Sequence, residues 1–294
     1  MSPDPFREAD DVVMTTMRSA RSNVRRAAGW GLKVGAAAVD GVRRPPAGVT
    51  VLIYHRVGRR VAVEMDLDAA RFEDQVAELA DSGRVVDLDA ALAILDGSMP
   101  RPALDPVVVT FDDGTADFAE VAIPILQRYR VPALMYLATA FLDDGVAFPY
   151  DGTPMSWAAV RDTLTSGVVH YGSHTHTHAL LDRLPAAEAA DELDRSIDRI
   201  ASETGSAPRH FAYPKAVMGS PAVDALVRTR FASAALAGTR RNPYAATDPY
   251  ALARSPIQAG DGMAWFRRKV DGGLGLEDRL RGVANRVRYR GATM

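Results

Sequence analysis

The chain contains no cysteine among its 294 residues. Disulfides, thiolate zinc sites and a cysteine nucleophile are therefore excluded. It also lacks an excess of charge of either sign. Lys and Arg number 35 against 37 Asp and Glu, a net of −2, so the molecule as a whole has no electrostatic pull on nucleic acid. No run approaches the roughly 18 apolar residues of a membrane span. The amino end carries Asp4, Glu8, Asp10 and Asp11, and the mildly apolar stretch 30–39 is interrupted by Lys33, so a secretory signal is not expected. Internal repeats and low-complexity tracts are missing too. What remains is ordinary globular composition, 47% apolar and 24% charged.

Three segments are expected. Residues 1–48 form a basic helical extension, with Arg18, Arg21, Arg25, Arg26, Lys33, Arg43 and Arg44 ahead of Pro45 and Pro46. Residues 49–260 form the body, and 261–294 a basic tail. Both basic ends offer contact with an anionic membrane face, although a solvated surface is the simpler reading. A cytoplasmic location is the default, with the inner membrane face as its variant.

Within the body, apolar strands alternate with helical patterns. VTVLIYH (49–55), VVVTF (107–111), VPALMYLA (131–138) and VVHYGSH (168–174) read as strands, followed by HFAYP and RFASAA (230–235). RVVDL reads as a further short strand. Helical spacing appears in 68–83, in DAALAILDG, in ADFAEVAIPILQRYR with a boundary at Pro124, after Ser156, and across 184–205. The stretch 141–155 reads as a long loop. Strands apolar throughout, alternating with helices, imply an α/β fold with a parallel sheet covered on both faces. Some seven units in about 210 residues suggest a distorted (β/α)7 barrel, with its site at the carboxyl ends of the strands.

Two of those strand ends carry unusual groups. VVVTFDDG places Asp112 and Asp113 side by side, and like charges in contact are costly unless a cation or a proton separates them. Some sixty residues on, GSHTHTH supplies His174, His176 and His178. His174 and His178 are four apart, a spacing that puts both imidazoles on one side of a helical turn, whereas His176 points elsewhere. One carboxylate and two imidazoles with open positions make a hydrolytic metal site, and the second carboxylate is placed to take a proton from water. A rival reading pairs His174 with His176, as in amidohydrolase barrels.

TFDDG followed by SHTHTH resembles the polysaccharide deacetylases, carbohydrate esterase family four, over about Val49 to Ile257. The resemblance implies Asp112 as general base, and Asp113, His174 and His178 as ligands of a divalent transition metal, zinc being the expected ion. It implies that Thr175 braces the ligand loop. The expected reaction removes N-acetyl groups from amino sugars of a glycan, polysaccharide or lipid-linked sugar. An O-acetyl esterase, or a catalytically silent glycan-binding protein of the same fold, is the alternative.

The family's third motif, commonly Phe-Arg-Pro-Pro-Tyr-Gly, reads FAYPKA here, with Ala212, Lys215 and Ala216 at the altered positions. This FAYP form is similar to an exopolysaccharide subgroup. Lys215 retains a backbone N–H for the oxyanion. The missing arginine leaves Asp112 needing a charge partner, for which Arg254 is preferred over Arg56 and Lys215. The family's late general-acid histidine is also missing. Of the six histidines, His55, at the end of VTVLIYH, is the best placed substitute. Trp157 and Tyr213 are expected to contact the sugar, and Tyr150, Phe148 and Phe141 lie on or beside the same loop.

Overall fold

GVTVLIY, residues Gly48–Tyr54 (β1), is buried at every position, as a central strand of a parallel sheet requires. The computed structural model describes residues 45–275, and the basic amino-terminal extension and the tail beyond 275 lie outside the described residues. The chain continues through a two-stranded ribbon, β2 (Arg56–Val57) and β3 (Asp66–Leu67), to helices α1 (Ala69–Ser82) and α2 (Leu88–Asp96). Then come β4 (Val107–Phe111), α3 (Ile123–Tyr129), β5 (Ala133–Leu137), α4 (Thr139–Asp144), α5 (Trp157–Leu164), β6 (Val169–Ser173) and α6 (Ala186–Thr204). Strands β7 (His210–Ala212), β8 (Ser233–Ala235), β9 (Asn242–Pro243) and β10 (Arg254–Pro256) follow, with α7 (Pro221–Arg230) after β7 and α8 (Gly262–Val270) last.

The strands lie in the order β10-β1-β4-β5-β6-β7-β8, all parallel, with β9 antiparallel against β1. A parallel bridge from Ala235 to Leu252 brings the two edges together and curls the sheet into the expected distorted (β/α) barrel. Side chains alternate across each strand. Val49, Val51, Val108, Leu134, Tyr136, Ala212, Ala235 and Leu252 fill the interior, and Leu88, Ala91 and Leu95 of α2 pack beneath them. Leu52, Tyr54, Val107, Val109 and Phe111 face outward into the larger layer under α1, α3 and α8.

Local chemistry explains the helix ends. Asp68, Asp87, Ser156 and Ser220 accept backbone N–H bonds at the starts of α1, α2, α5 and α7. Pro124 does mark a boundary: a π-helical turn, Phe118–Ala122, precedes it, and the proline occupies the first turn of α3.

Several expectations need correction. RVVDL makes only a single bridge, Val85 to Val107, because Asp87 starts α2. The stretch 141–155 is partly helical, since α4 runs to Asp144 and ends at Gly145, which takes a left-handed φ of 64°. YALARSPI supplies β10, whose three residues pair with β1 at Val51, Leu52 and Ile53 and are too few to show periodicity. The compact unit spans Pro45–Gly273, so the body runs past the expected edge at 260, and α8 buries Phe266, Lys269 and Val270.

Candidate active site

β4 delivers the acid pair. Alternation sends Val108, Thr110 and Asp112 toward the barrel interior, and the Asp112 N–H still donates to the Tyr54 carbonyl at 3.1 Å, extending the β1–β4 ladder by one residue. The chain then breaks. Asp113 has φ 76° and Gly114 φ 103°, and a Cβ on Gly114 would meet Leu137 Cδ2 at 2.8 Å. An unbroken strand would send Asp113 to the opposite face from Asp112, whereas the break leaves both carboxylates close to His174 Nε2, at 3.7 and 3.8 Å.

β6 delivers the histidines. The His174 N–H donates to Leu137 at 2.8 Å, and the loop that follows bends at Thr175 (φ 65°) and His178 (φ 63°). Asp113 Oδ1 lies 3.8 Å from His174 Nε2 and 3.6 Å from His178 Nε2. The three ligand atoms lie within 4.8 Å of one another, and this is the one group of three potential ligands found among the described residues. A tetrahedral ion with bonds of about 2.1 Å sets its ligand atoms roughly 3.4 Å apart, so the donor set fits a divalent transition metal. His174 Nδ1 hydrogen-bonds the Ala212 carbonyl at 2.8 Å, which fixes the ring and leaves Nε2 to face the cluster. Burial lowers the pKa of His174 below the usual imidazole value despite Asp112 and Asp113 nearby. His178 is pushed down to about 3 by burial, with His174 and Lys215 adding to the effect. Both rings are thus neutral at ordinary pH, with lone pairs available to a cation.

Asp112 sits beside this cluster, its Oδ2 3.7 Å from His174 Nε2. Arg254, from β10, donates to both its oxygens, at 2.6 and 2.8 Å. Such forked, charge-assisted pairing is the strongest kind of protein hydrogen bond. The guanidinium is itself held by the Leu236 carbonyl at 3.1 Å and lies 5.0 Å over the Tyr136 ring. Burial alone would raise the Asp112 pKa. The charge and forked hydrogen bonds of Arg254 outweigh burial and hold the carboxyl well below its usual range.

The other expected residues divide. His55 follows β1 directly, half-buried, close enough to Asp112 for its charge to act on that carboxyl. Lys215, exposed and left-handed at φ 53°, follows Pro214 and is close enough for its charge to act on His178. Thr175 does not brace the loop through its hydroxyl. Its Oγ1 is buried without a hydrogen-bond partner, and the local contact is its N–H to Ser173 Oγ at 3.3 Å. Tyr213 is not a surface residue: it is fully buried against Phe211 and donates to Asp224 at 3.0 Å. Trp157 is tied to its neighbours: Nε1 donates to Asp143 at 2.7 Å, and Arg199 covers one ring face at 5.0 Å. Phe141 and Phe148 stack on each other at 4.2 Å, while Tyr150 is 59% exposed. His176 lies outside the ligand cluster and hydrogen-bonds Thr139 Oγ1 through Nδ1 at 2.8 Å, against the His174–His176 pairing.

Three contributors escaped the sequence reading. The Ala212 carbonyl orients His174, but a backbone acceptor carries no side-chain signature. Tyr136 supports Arg254 from a strand otherwise read as plain core. Glu192 of α6 binds the ligand loop; its signal was present, since it shares the buried stripe of Ala189, Leu193, Ser196 and Ile200, where a carboxylate is out of place.

Comparison with known proteins agrees with this architecture. Residues 101–232 match the family model for polysaccharide deacetylase. The fold is that of solved deacetylases. The Streptococcus pyogenes deacetylase PplD, solved with acetate, superposes with a TM-score of 0.66 at 19% identity over 76% of this chain and 99% of that one. IcaB from Ammonifex degensii gives 0.64 at 24% identity, over 76% and 98%. A de-N-acetylase from Aggregatibacter actinomycetemcomitans gives 0.62 at 22%, over 75% and 99%. No curated protein sequence matches the chain.

Proposed function

We propose that this polysaccharide deacetylase domain is an active metal-dependent hydrolase that removes N-acetyl groups from amino sugars of a glycan, polysaccharide or lipid-linked sugar. The observation that carries the reading is the convergence of Asp113, His174 and His178 beside an Asp112 that Arg254 keeps ionised. Asp113, His174 and His178 would hold the ion, zinc being the expected one. When bound, the ion supplies Lewis acidity and lowers the pKa of water.

Asp112 is placed to accept the proton of the attacking water, and Arg254 fixes both its oxygens so that it cannot swing away. Attack on the amide carbonyl puts negative charge on its oxygen, for which the backbone N–H of Lys215 is the proposed donor. His55 is the proposed acid: it passes a proton to the departing nitrogen as the C–N bond breaks, leaving acetate and a free amine. Arg254 also bears on the silent alternative. FAYPKA lacks the arginine of the family motif, and Arg254 supplies that guanidinium from a different strand, which removes the main support for a protein that has lost its chemistry.

The test is metal analysis of the full chain with acetate release from N-acetylglucosamine oligomers, alongside Asp112→Asn and His55→Gln. The expected result is about one transition-metal ion per chain and a rate loss of about 10²-fold or more in each variant. No metal after reconstitution, or acetate release untouched by Asp112→Asn, overturns the reading. A normal rate in His55→Gln removes only the assigned acid.

A further inference from the structure

The loop between the two metal-binding histidines is held by a carboxylate from the neighbouring helix α6. Glu192, on α6, is nearly buried. Its Oε2 accepts the N–H groups of His176 at 3.1 Å and Thr177 at 2.8 Å, and its Oε1 accepts the Thr177 hydroxyl at 2.8 Å. Consecutive backbone N–H groups converging on one oxygen form an anion-binding nest, here filled by an internal carboxylate. A leucine would pack at this place on the helical stripe without any desolvation cost, so packing does not explain the residue.

The same loop is also gripped by a second element. The Thr139 and Ala140 N–H groups, at the start of α4, donate to the carbonyls of Thr175 and His176 at 3.4 and 2.8 Å, and Thr139 Oγ1 meets His176 Nδ1. Residues 175–177 are thus clamped between α4 and α6. His174 and His178 flank the clamped tripeptide, Thr175 and His178 both take left-handed φ angles, and the two rings converge with Asp113. Non-glycine residues keep such angles only where their surroundings impose them.

We infer that Glu192 is a positioning residue for the metal site, holding the His174–His178 loop in its ligating shape; this rests on the metal reading above. Removing the carboxylate releases two N–H groups and a hydroxyl, lets the strained loop relax, and pulls the two imidazoles out of register with Asp113. Glutamine preserves an acceptor for the two N–H groups and can donate to the Thr177 oxygen, so it retains most of the clamp.

The experiment is zinc affinity of the full chain by competition with a chelating dye, for wild type, Glu192→Ala, Glu192→Gln and Thr177→Val, with urea unfolding in EDTA run beside it. Loss of a group that orients metal ligands typically weakens metal binding about 10- to 100-fold, which is the drop expected for Glu192→Ala. Glu192→Gln is expected within a few-fold of wild type, and Thr177→Val between the two, with no correlation between zinc affinity and stability of the metal-free forms. A folded Glu192→Ala with wild-type affinity overturns the inference, as does equal weakening by Ala and Gln, which would mean charge acting at a distance. Should Glu192→Ala fail to fold, unchanged affinity in Thr177→Val overturns it. If wild type takes up no zinc, the metal reading falls and this inference with it; if wild type binds and the variants bind equally, only this inference falls.

Discussion

Replacing Arg254 with methionine leaves Asp112 buried with no full counter-charge against it. In the native pair the two side chains are 1% and 4% exposed and joined by two short hydrogen bonds. Unit charges about 4 Å apart attract by roughly 4 kcal/mol at an effective dielectric near 20. Removing one member of a buried pair costs about 3–5 kcal/mol, because the other stays desolvated. Methionine keeps an apolar stem against Tyr136, so cavity formation adds little. Urea unfolding of Arg254→Met in EDTA at pH 7.5 is therefore expected to show a loss of about 3–4 kcal/mol. The pH dependence has a definite sign. A carboxyl whose folded pKa is depressed contributes stability above its unfolded pKa, near 3.9, and loses it as pH falls through the folded value. Asp112 is such a group in the native chain. Without Arg254, burial dominates, the folded pKa rises above the unfolded one, and ionisation becomes destabilising. The deficit of the variant is thus largest at neutral pH and narrows as pH falls toward about 4. In a double-mutant cycle, Asp112→Asn should recover about 2 kcal/mol or more in the Arg254→Met background, since an amide needs no counter-charge. A deficit below about 1 kcal/mol that is flat with pH, together with additive mutations, would refute the reasoning.

His176→Ala should bind metal with wild-type stoichiometry, because its ring serves Thr139; loss of the metal, measured by elemental analysis, would restore the His174–His176 pairing. Tyr213→Phe should cost about 1 kcal/mol in urea unfolding and leave KM for the acetylated oligomer unchanged, since the hydroxyl bonds Asp224 in the core. His174 and His178 resist protonation in the folded state but not in the unfolded one, so metal-free protein should lose stability as pH falls below about 6.5. Melting in EDTA at pH 7.5, 6.5 and 5.5 checks this, and His178→Asn should remove part of the slope. Gly172→Ala would place a Cβ 2.6 Å from Tyr136 Cδ1 and 2.8 Å from the His210 carbonyl oxygen, and should destabilise by about 1–3 kcal/mol in the same unfolding assay.

Much of this molecule can be read along the chain. Buried parallel strands announce themselves as unbroken apolar runs, and the predicted strand segments at 49–55, 107–111, 131–138 and 168–174 overlap β1, β4, β5 and β6. The acid pair and the spaced histidines stand out because ionisable groups are rare at the ends of such runs. Short elements escape this kind of reading. β10 is three residues long and acquires its strand conformation by pairing with β1, a partner some two hundred residues earlier. Tyr213 illustrates the opposite error: an aromatic beside a motif invites a role at the surface, but its burial depends on α6 and α7, which the motif does not encode.

The sequence by itself determined the residue types of the site, the order in which they arrive and the class of fold that gathers them, because periodicity and spacing are local properties. The tertiary structure decided which partners meet, Arg254 being one of three candidates for Asp112 on sequence alone. That Arg254 meets Asp112 depends on β10 lying beside β1. That Ala212 orients His174 depends on β7 lying beside β6. That Glu192 grips the ligand loop depends on α6 packing over the end of β6. Each of these contacts joins segments distant in sequence, where geometry rather than spacing sets which groups come within a hydrogen bond of each other.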